Sequence, residues 1–315
     1  MNNIVIEVNK RFELVQVLVY LTDRQEKTYQ FLDNAEYFPA LQEYFQKFTT
    51  HEAVKITTDL IDNQNFVHVI PFKAILNIDE IIKNTEHPLY NWVNSVKDFE
   101  RESRFDDFFD SNNNREYFST VVNTAKAFGI EKWLDYTEKF FRKEFNRFIL
   151  ILSPSIGNYG FIMDVPEKET AYTVRLIPYC DENGKRNWNV GDFARGIAHE
   201  FAHCFVNPVV EKHKNKLDDL SAFFKSHKDM LSFYNVNYAV MNEYYVRAYS
   251  ILFMKKFRSD FPDFDIKADT ERHKKQAGFI YIDDFIAYLD EYESSNMSFE
   301  DFCLSKLNEM ATICN

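Results

Sequence analysis

Two histidines and a glutamate at fixed spacing carry the arrangement in this chain that reads most directly as chemistry: His199-Glu200-Phe201-Ala202-His203. On a helix, 3.6 residues per turn stack His199 and His203 on one face. Two imidazoles so placed can each give a nitrogen to one tetrahedral Zn²⁺. Glu200 lies about 100° round the helix from His199, beside the metal without ligating it. There it can take a proton from a water at the metal and later hand it to a leaving amine. In a chain with eight His, a chance match to this pentad should occur in about one or two sequences per hundred. The competing reading is an amphipathic core helix whose two histidines hydrogen-bond to their neighbours.

A catalytic zinc usually takes three protein ligands and a water. The pattern H-E-x-x-H-x-x-G-x-x-H would supply a third histidine, but Val206 and Val209 stand where it needs Gly and His. Glu211 and His213 follow closely, yet they lie beyond Pro208 in a charged run. Glu243 is the stronger candidate. It sits in Met241-Asn242-Glu243-Tyr244-Tyr245-Val246-Arg247-Ala248, and a carboxylate on an apolar helical face needs a partner. Arg247 supplies the competing explanation, an ordinary i,i+4 ion pair. It is also a candidate for steering substrate or orienting Glu243. The candidate oxyanion donor is Tyr159, flanked by Gly157 and Gly160, where glycine permits close substrate approach; a core or surface tyrosine is the alternative. Tyr244 and Tyr245 leave their helix in other directions than Glu243. His213, His227 and His273 read as surface residues.

These side chains need elements to hold them. Asp192 is the expected N-cap of the histidine helix, and Phe193, Ile197, Phe201 and Phe205 form its apolar stripe. Asn207-Pro208 is the expected stop, because the residue before proline is pushed out of the helical region. Upstream, three strands are expected at 148–152, 159–165 and 172–178, with a turn at 181–184. A short strand suits residues 4–8. Helical spacing recurs at 12–21, 35–48, 51–62 and 66–76, and the phenylalanines at 99, 105, 108 and 109 suit a helix before a loop at Ser111–Asn114. Two more helices follow, one from Phe118 to Gly129 and one marked by aromatics from Trp133 to Phe148. After Pro208, helices are expected around 217–224, from Asn237 to Phe257, at 280–292 and at 299–310, the last with Ser298 as a cap. Three regions result: 1–147, mostly helical; 148–257, the catalytic core; and 258–315, helical, all in one compact unit.

Composition sets outer limits. A chain of 315 residues, 45% hydrophobic with 32 Phe and 18 Tyr, can bury a large core. Seven Gly and eight Pro argue for long helices over a sandwich or propeller. A net charge of −12 speaks against nucleic acid or an anionic membrane as the main partner. Cys180, Cys204, Cys303 and Cys314 form no C-x-x-C, and Cys204 reads as a small core residue. No apolar run is long enough for a membrane span. The N-terminus carries no visible signal peptide, which fits a cytoplasmic chain. A removed signal would leave the same picture in a secreted or periplasmic one.

The pentad, the strands before it and a glutamate on a later helix resemble the gluzincin metallopeptidases, over residues 148–255. The chain is similar to a bacterial group within that clan in which His-Glu-Phe-x-His is followed by Phe-Val-Asn-Pro and a later Glu-x-x-x-Arg-Ala. Here those are His199–His203, Phe205–Pro208 and Glu243–Ala248. The resemblance implies a Zn²⁺ site of His199, His203 and Glu243, Glu200 as general base, and a peptide or protein substrate. In thermolysin-like gluzincins the third ligand follows far sooner; here the 39 residues from 204 to 242 intervene, which implies an inserted helix around 213–233. Those families also often carry Asp four residues after the glutamate, where this chain has Arg247. The expectation is an α+β, predominantly helical fold, with a zincin-like core and a small sheet beside the H-E-x-x-H helix, acting as a zinc-dependent peptidase. The alternatives are a catalytically silent zincin-fold binding protein and a zinc hydrolase acting on non-peptide amides.

Overall fold

The computed structural model describes residues 4–24, 37–64, 66, 70–154, 161–165, 170–176, 189–227 and 236–314. The fold is α+β and predominantly helical. The chain forms two units that interleave in sequence. One takes residues 3–129 and 147–188; the other takes 130–146 and 189–315 with the first two residues.

In the first unit, β1 (Ile4–Glu7) leads into α1 (Lys10–Leu21). Then come α2 (Phe38–Phe45), α3 (Glu52–Gln64), α4 (Ile70–Leu76), α5 (Ile78–Ile81), α6 (Tyr90–Glu102), α7 (Phe105–Phe109) and α8 (Asn112–Ala127). The remaining strands are β2 (Arg147–Ser153), β3 (Phe161–Val165) and β4 (Thr170–Leu176), in the sheet order β1-β2-β4-β3. β1, β2 and β4 run parallel, with Ile4 opposite Phe148 and Leu150 opposite Thr173, and β3 is antiparallel to β4. The continuous apolar run of β2 follows from that position: Phe148 to Leu152 are all buried, as in a parallel strand covered on both faces. Ser111–Asn114 is not a loop. Ser111 caps α8 by accepting from the Asn114 N–H, so the three asparagines form the helix's first turn.

The second unit is helical. It contains α9 (Ile130–Phe141), α10 (Val190–Lys212), a 3₁₀ turn at Lys214–Leu220, α11 (Ser221–Lys225) and α12 (Asn237–Lys256), then α13 (Ile266–Lys275), α14 (Ile282–Ser294) and α15 (Phe299–Cys314). α10 packs chiefly on α12, and α12 is buried nearly all round, which places it at the centre of this unit. Aromatic contacts close the core: Trp133 meets Phe193, Phe253 and Phe261 edge-on, and Phe141 stacks on Phe205 at 4.8 Å. α9 stops at Phe141 instead of running toward Phe148, because Arg142 turns left-handed (φ 53°) and the Lys143 N–H folds back to the Glu138 carbonyl.

Two local expectations for α10 fail. Asn189, not Asp192, is the N-cap: its side chain accepts from the Asp192 N–H at 3.2 Å. Asp192 instead lies in the first turn, where a carboxylate favours the positive helix end. Nor does the helix stop at Asn207-Pro208; it continues to Lys212 with Pro208 inside it. An interior proline costs about 3 kcal/mol. The flanking Val206 and Val210 are buried while Pro208 faces out, so packing on both sides offsets that cost. No helix among the described residues is long and apolar enough to cross a membrane.

Candidate metal centre

α10 carries His199 and His203 one turn apart, and α12 brings Glu243 to them. His203 Nε2 lies 3.3 Å from His199 Nε2 and 3.5 Å from Glu243 Oε1, and His199 Nε2 lies 3.8 Å from Glu243 Oε2. A tetrahedral zinc with Zn–N of 2.0–2.1 Å spaces its ligand atoms about 3.3 Å apart. The three side chains therefore converge on a volume of zinc's size, with the neutral-imidazole and carboxylate donors that zinc takes. Burial above all, then His203 and the cations Arg247 and Arg195, hold His199 well below an ordinary histidine, so its ring is neutral near pH 7 and one of its nitrogens offers a lone pair.

Two of the three side chains are oriented from behind. His203 Nδ1 lies 2.9 Å from Asn207 Oδ1. The amide oxygen can only accept, so Nδ1 carries the ring proton and Nε2 presents its lone pair. On Glu243, Arg247 Nε and Nη2 both donate to Oε2 at 2.8 Å, leaving Oε1 turned toward His203. The i,i+4 ion pair expected as the alternative to a ligand thus coexists with the ligand geometry, one oxygen serving each.

Residues 68–304 match the family described as a domain of unknown function, DUF4932. The chain belongs to that family. No curated protein and no solved structure matches it.

In this DUF4932 chain the matched region contains every residue of the centre, including a support that the sequence did not reveal. Arg247 Nη1 donates to His273 Nδ1 at 3.0 Å, and its guanidinium lies over the Phe279 ring at 4.4 Å. His273 Nε2 then carries the ring proton and faces Asp269 Oδ2 across 3.5 Å, too far for a hydrogen bond. Asp269 also pairs with Arg272 and stands 3.8 Å from Arg195. Burial pushes the Asp269 carboxyl up, but His273, Arg195 and Arg272 outweigh it and hold it well below the usual carboxylate range. α13, which supplies Asp269 and His273, was not expected as a helix.

The other candidates divide. Glu200 is buried on α10 between the two histidines. Tyr159 lies outside the described residues. His213 pairs with Glu300 at 2.7 Å and takes no part in the cluster. His227 and His273 are not surface residues; both are buried. His227 Nε2 meets the Tyr244 hydroxyl at 2.5 Å and its Nδ1 meets the Phe223 carbonyl at 2.7 Å, so aromatic packing around α11 and α12 encloses it. Cys204 is buried as expected. Asn207 and Arg195 went unrecognised, although both continue the four-residue track of the histidines: 195, 199, 203, 207.

Proposed function

We propose that this chain is a zinc-dependent peptidase that uses His199, His203 and Glu243 as metal ligands and Glu200 as general base. The observation that carries the reading is the convergence of three side chains: the two imidazole nitrogens lie 3.3 Å apart, and the two oxygens of Glu243 lie 3.5 and 3.8 Å from them. Two imidazole nitrogens turned toward each other with a carboxylate beside them are poorly satisfied by one another. A divalent cation satisfies all three. A bound zinc would polarise the scissile carbonyl and acidify a water.

The chain's own residues do the rest. Asn207 holds the His203 ring in the tautomer with a free Nε2. Arg247 holds Glu243 so that one carboxylate oxygen faces the histidines. Glu200 accepts the proton of the attacking water and passes it to the departing amine nitrogen, one carboxylate serving as base and then as acid.

Metal content by mass spectrometry on untagged protein tests the ligand set, with Glu243→Ala expected to lose zinc. A peptide-library digest with and without chelator tests the reaction, and Glu200→Gln is expected to keep zinc stoichiometry while losing hydrolysis. Turnover retained in Glu200→Gln would overturn the mechanism. Zinc without cleavage of any library peptide would favour a binding protein or a hydrolase of non-peptide amides.

A further inference from the structure

Arg195 lies one turn before His199 on the same face of α10, and its guanidinium is the least satisfied cation around the centre. Its closest acidic neighbour is Asp269 Oδ1 at 3.8 Å, an oxygen that Arg272 already contacts more closely. Among the described residues it makes no hydrogen bond, and its buried Nε has no partner. A guanidinium carries five N–H donors in a fixed fork, so burying most of one without hydrogen bonds is costly. The side chain is nonetheless 19% exposed, so part of the fork is open to a ligand.

The neighbouring charges leave the fork itself unfilled. Arg247 is held by Glu243 and Arg272 by Asp269, whereas Arg195 stands 3.8 Å from Asp269 with no hydrogen bond to it. An anionic group arriving with the substrate would gain two-point hydrogen bonds from this partly desolvated fork.

We propose that Arg195 forms a carboxylate-binding subsite beside the metal centre, and that the substrate is a peptide bearing a carboxylate close to the scissile bond. The substrate assignment rests on the peptidase reading above; the subsite itself does not need the metal. Four residues of helix rise about 6 Å, and one residue of extended peptide spans about 3.3 Å. The carboxylate therefore belongs one or two residues from the cleaved bond. It is either a free C-terminal carboxylate or an acidic side chain.

The test is a binding titration on the full chain stripped of metal by chelator, followed by NMR chemical shifts, so that no probe can bind through zinc and none is cleaved. The probes are acetyl-Ala-Ala with a free carboxylate, its C-terminal amide, and acetyl-Glu-Ala-amide. At least one carboxylate probe is expected to bind about ten- to a hundredfold more tightly than acetyl-Ala-Ala-amide. Whichever carboxylate is preferred identifies its source. Arg195→Ala should bring the ratio close to one, and Arg195→Lys, which keeps the charge but not the fork, should give an intermediate ratio. The proposal is overturned if the wild-type chain binds all three probes equally or binds none at millimolar concentration. It is equally overturned if Arg195→Ala keeps the preference. Should Arg195→Ala fail to fold, an unchanged ratio in Arg195→Lys overturns it. Zinc content of the same wild-type preparation before stripping tests the metal reading separately: its absence would sink that reading and leave the binding ratios interpretable.

Discussion

Replacing Asn207 by alanine separates metal support from fold support, because the two effects differ in size. The Asn207 side chain contributes one hydrogen bond, from His203 Nδ1 at 2.9 Å, at a half-buried position. Losing a neutral hydrogen bond of this kind costs about 0.5–1.5 kcal/mol. The ring also becomes free to turn and to change tautomer, which removes the bias that keeps Nε2 unprotonated. Partners of metal-bound histidines typically contribute about 10–100-fold in metal affinity, and water can partly replace a half-exposed amide. The expected loss of zinc affinity in Asn207→Ala is therefore about tenfold, roughly 1.4 kcal/mol. The metal-free protein should lose less than that, since alanine gains up to about 0.7 kcal/mol of helix propensity over asparagine and offsets part of the lost hydrogen bond. Asn207→Asp keeps an acceptor and adds charge, and should bind zinc at least as well as the wild-type chain. Chelator competition measures the affinity, and urea denaturation of the metal-free variants measures the fold. Unchanged zinc affinity in Asn207→Ala would refute the reasoning, and so would a fall in metal-free stability that matches the fall in affinity.

Two further outcomes follow from buried histidines. Burial lowers His199, His227 and His273 below the ordinary histidine value, so as pH falls the unfolded chain takes up protons before the folded one does. Stability of the metal-free protein should be full above about pH 7 and fall below about pH 6.5, by up to roughly 1.4 kcal/mol per pH unit for each such group. Urea midpoints that stay flat from about pH 7.5 down to about pH 5 would contradict this. Tyr244→Phe keeps the ring stacked on Phe285 but takes the hydroxyl from His227 Nε2 and from the Tyr281 N–H. It should cost about 1–3 kcal/mol with zinc content unchanged, and zinc loss in this variant would show that the aromatic cluster supports the metal centre.

The histidine helix, the later helix bearing Glu243 and the three strands before the pentad were legible because their periodicities are local. The helix expected at 237–257 is found at Asn237–Lys256. What stayed hidden depends on contacts distant in sequence. No local pattern shows that β1 pairs in parallel with β2 across more than a hundred residues. α13 reads Ile-Lys-Ala-Asp-Thr-Glu-Arg-His-Lys-Lys, with no apolar stripe to betray a helix, so its two contributions to the centre escaped notice. The proline rule failed at Pro208 because buried valines on either side outweigh it. The helix inserted between His203 and Glu243 is present only as a 3₁₀ turn and the short α11 among the described residues.

A buried acid needs a partner, but its sequence does not say which, and three glutamates of this chain make the point. Glu13, on the mostly buried α1, accepts from the Ser153 hydroxyl at 2.6 Å. Glu138, inside α9, accepts from the Phe145 backbone N–H at 2.8 Å and so helps close its own helix. Glu243 faces two imidazole nitrogens and one guanidinium. From its neighbours in sequence each is the same signal, a charge among apolar residues. Glu243 differs in what stands across from it. A hydroxyl or an amide N–H brings a carboxylate a proton, which is what an acceptor needs. Two imidazole nitrogens turned toward a carboxylate can bring acceptors to an acceptor, and that surplus of electron pairs is what a cation would resolve. The pentad fixes where those lone pairs are, and Asn207 fixes which way one of them points. The spacing of His199 and His203 therefore gives the carboxylate on α12 a meaning that its own helix could not.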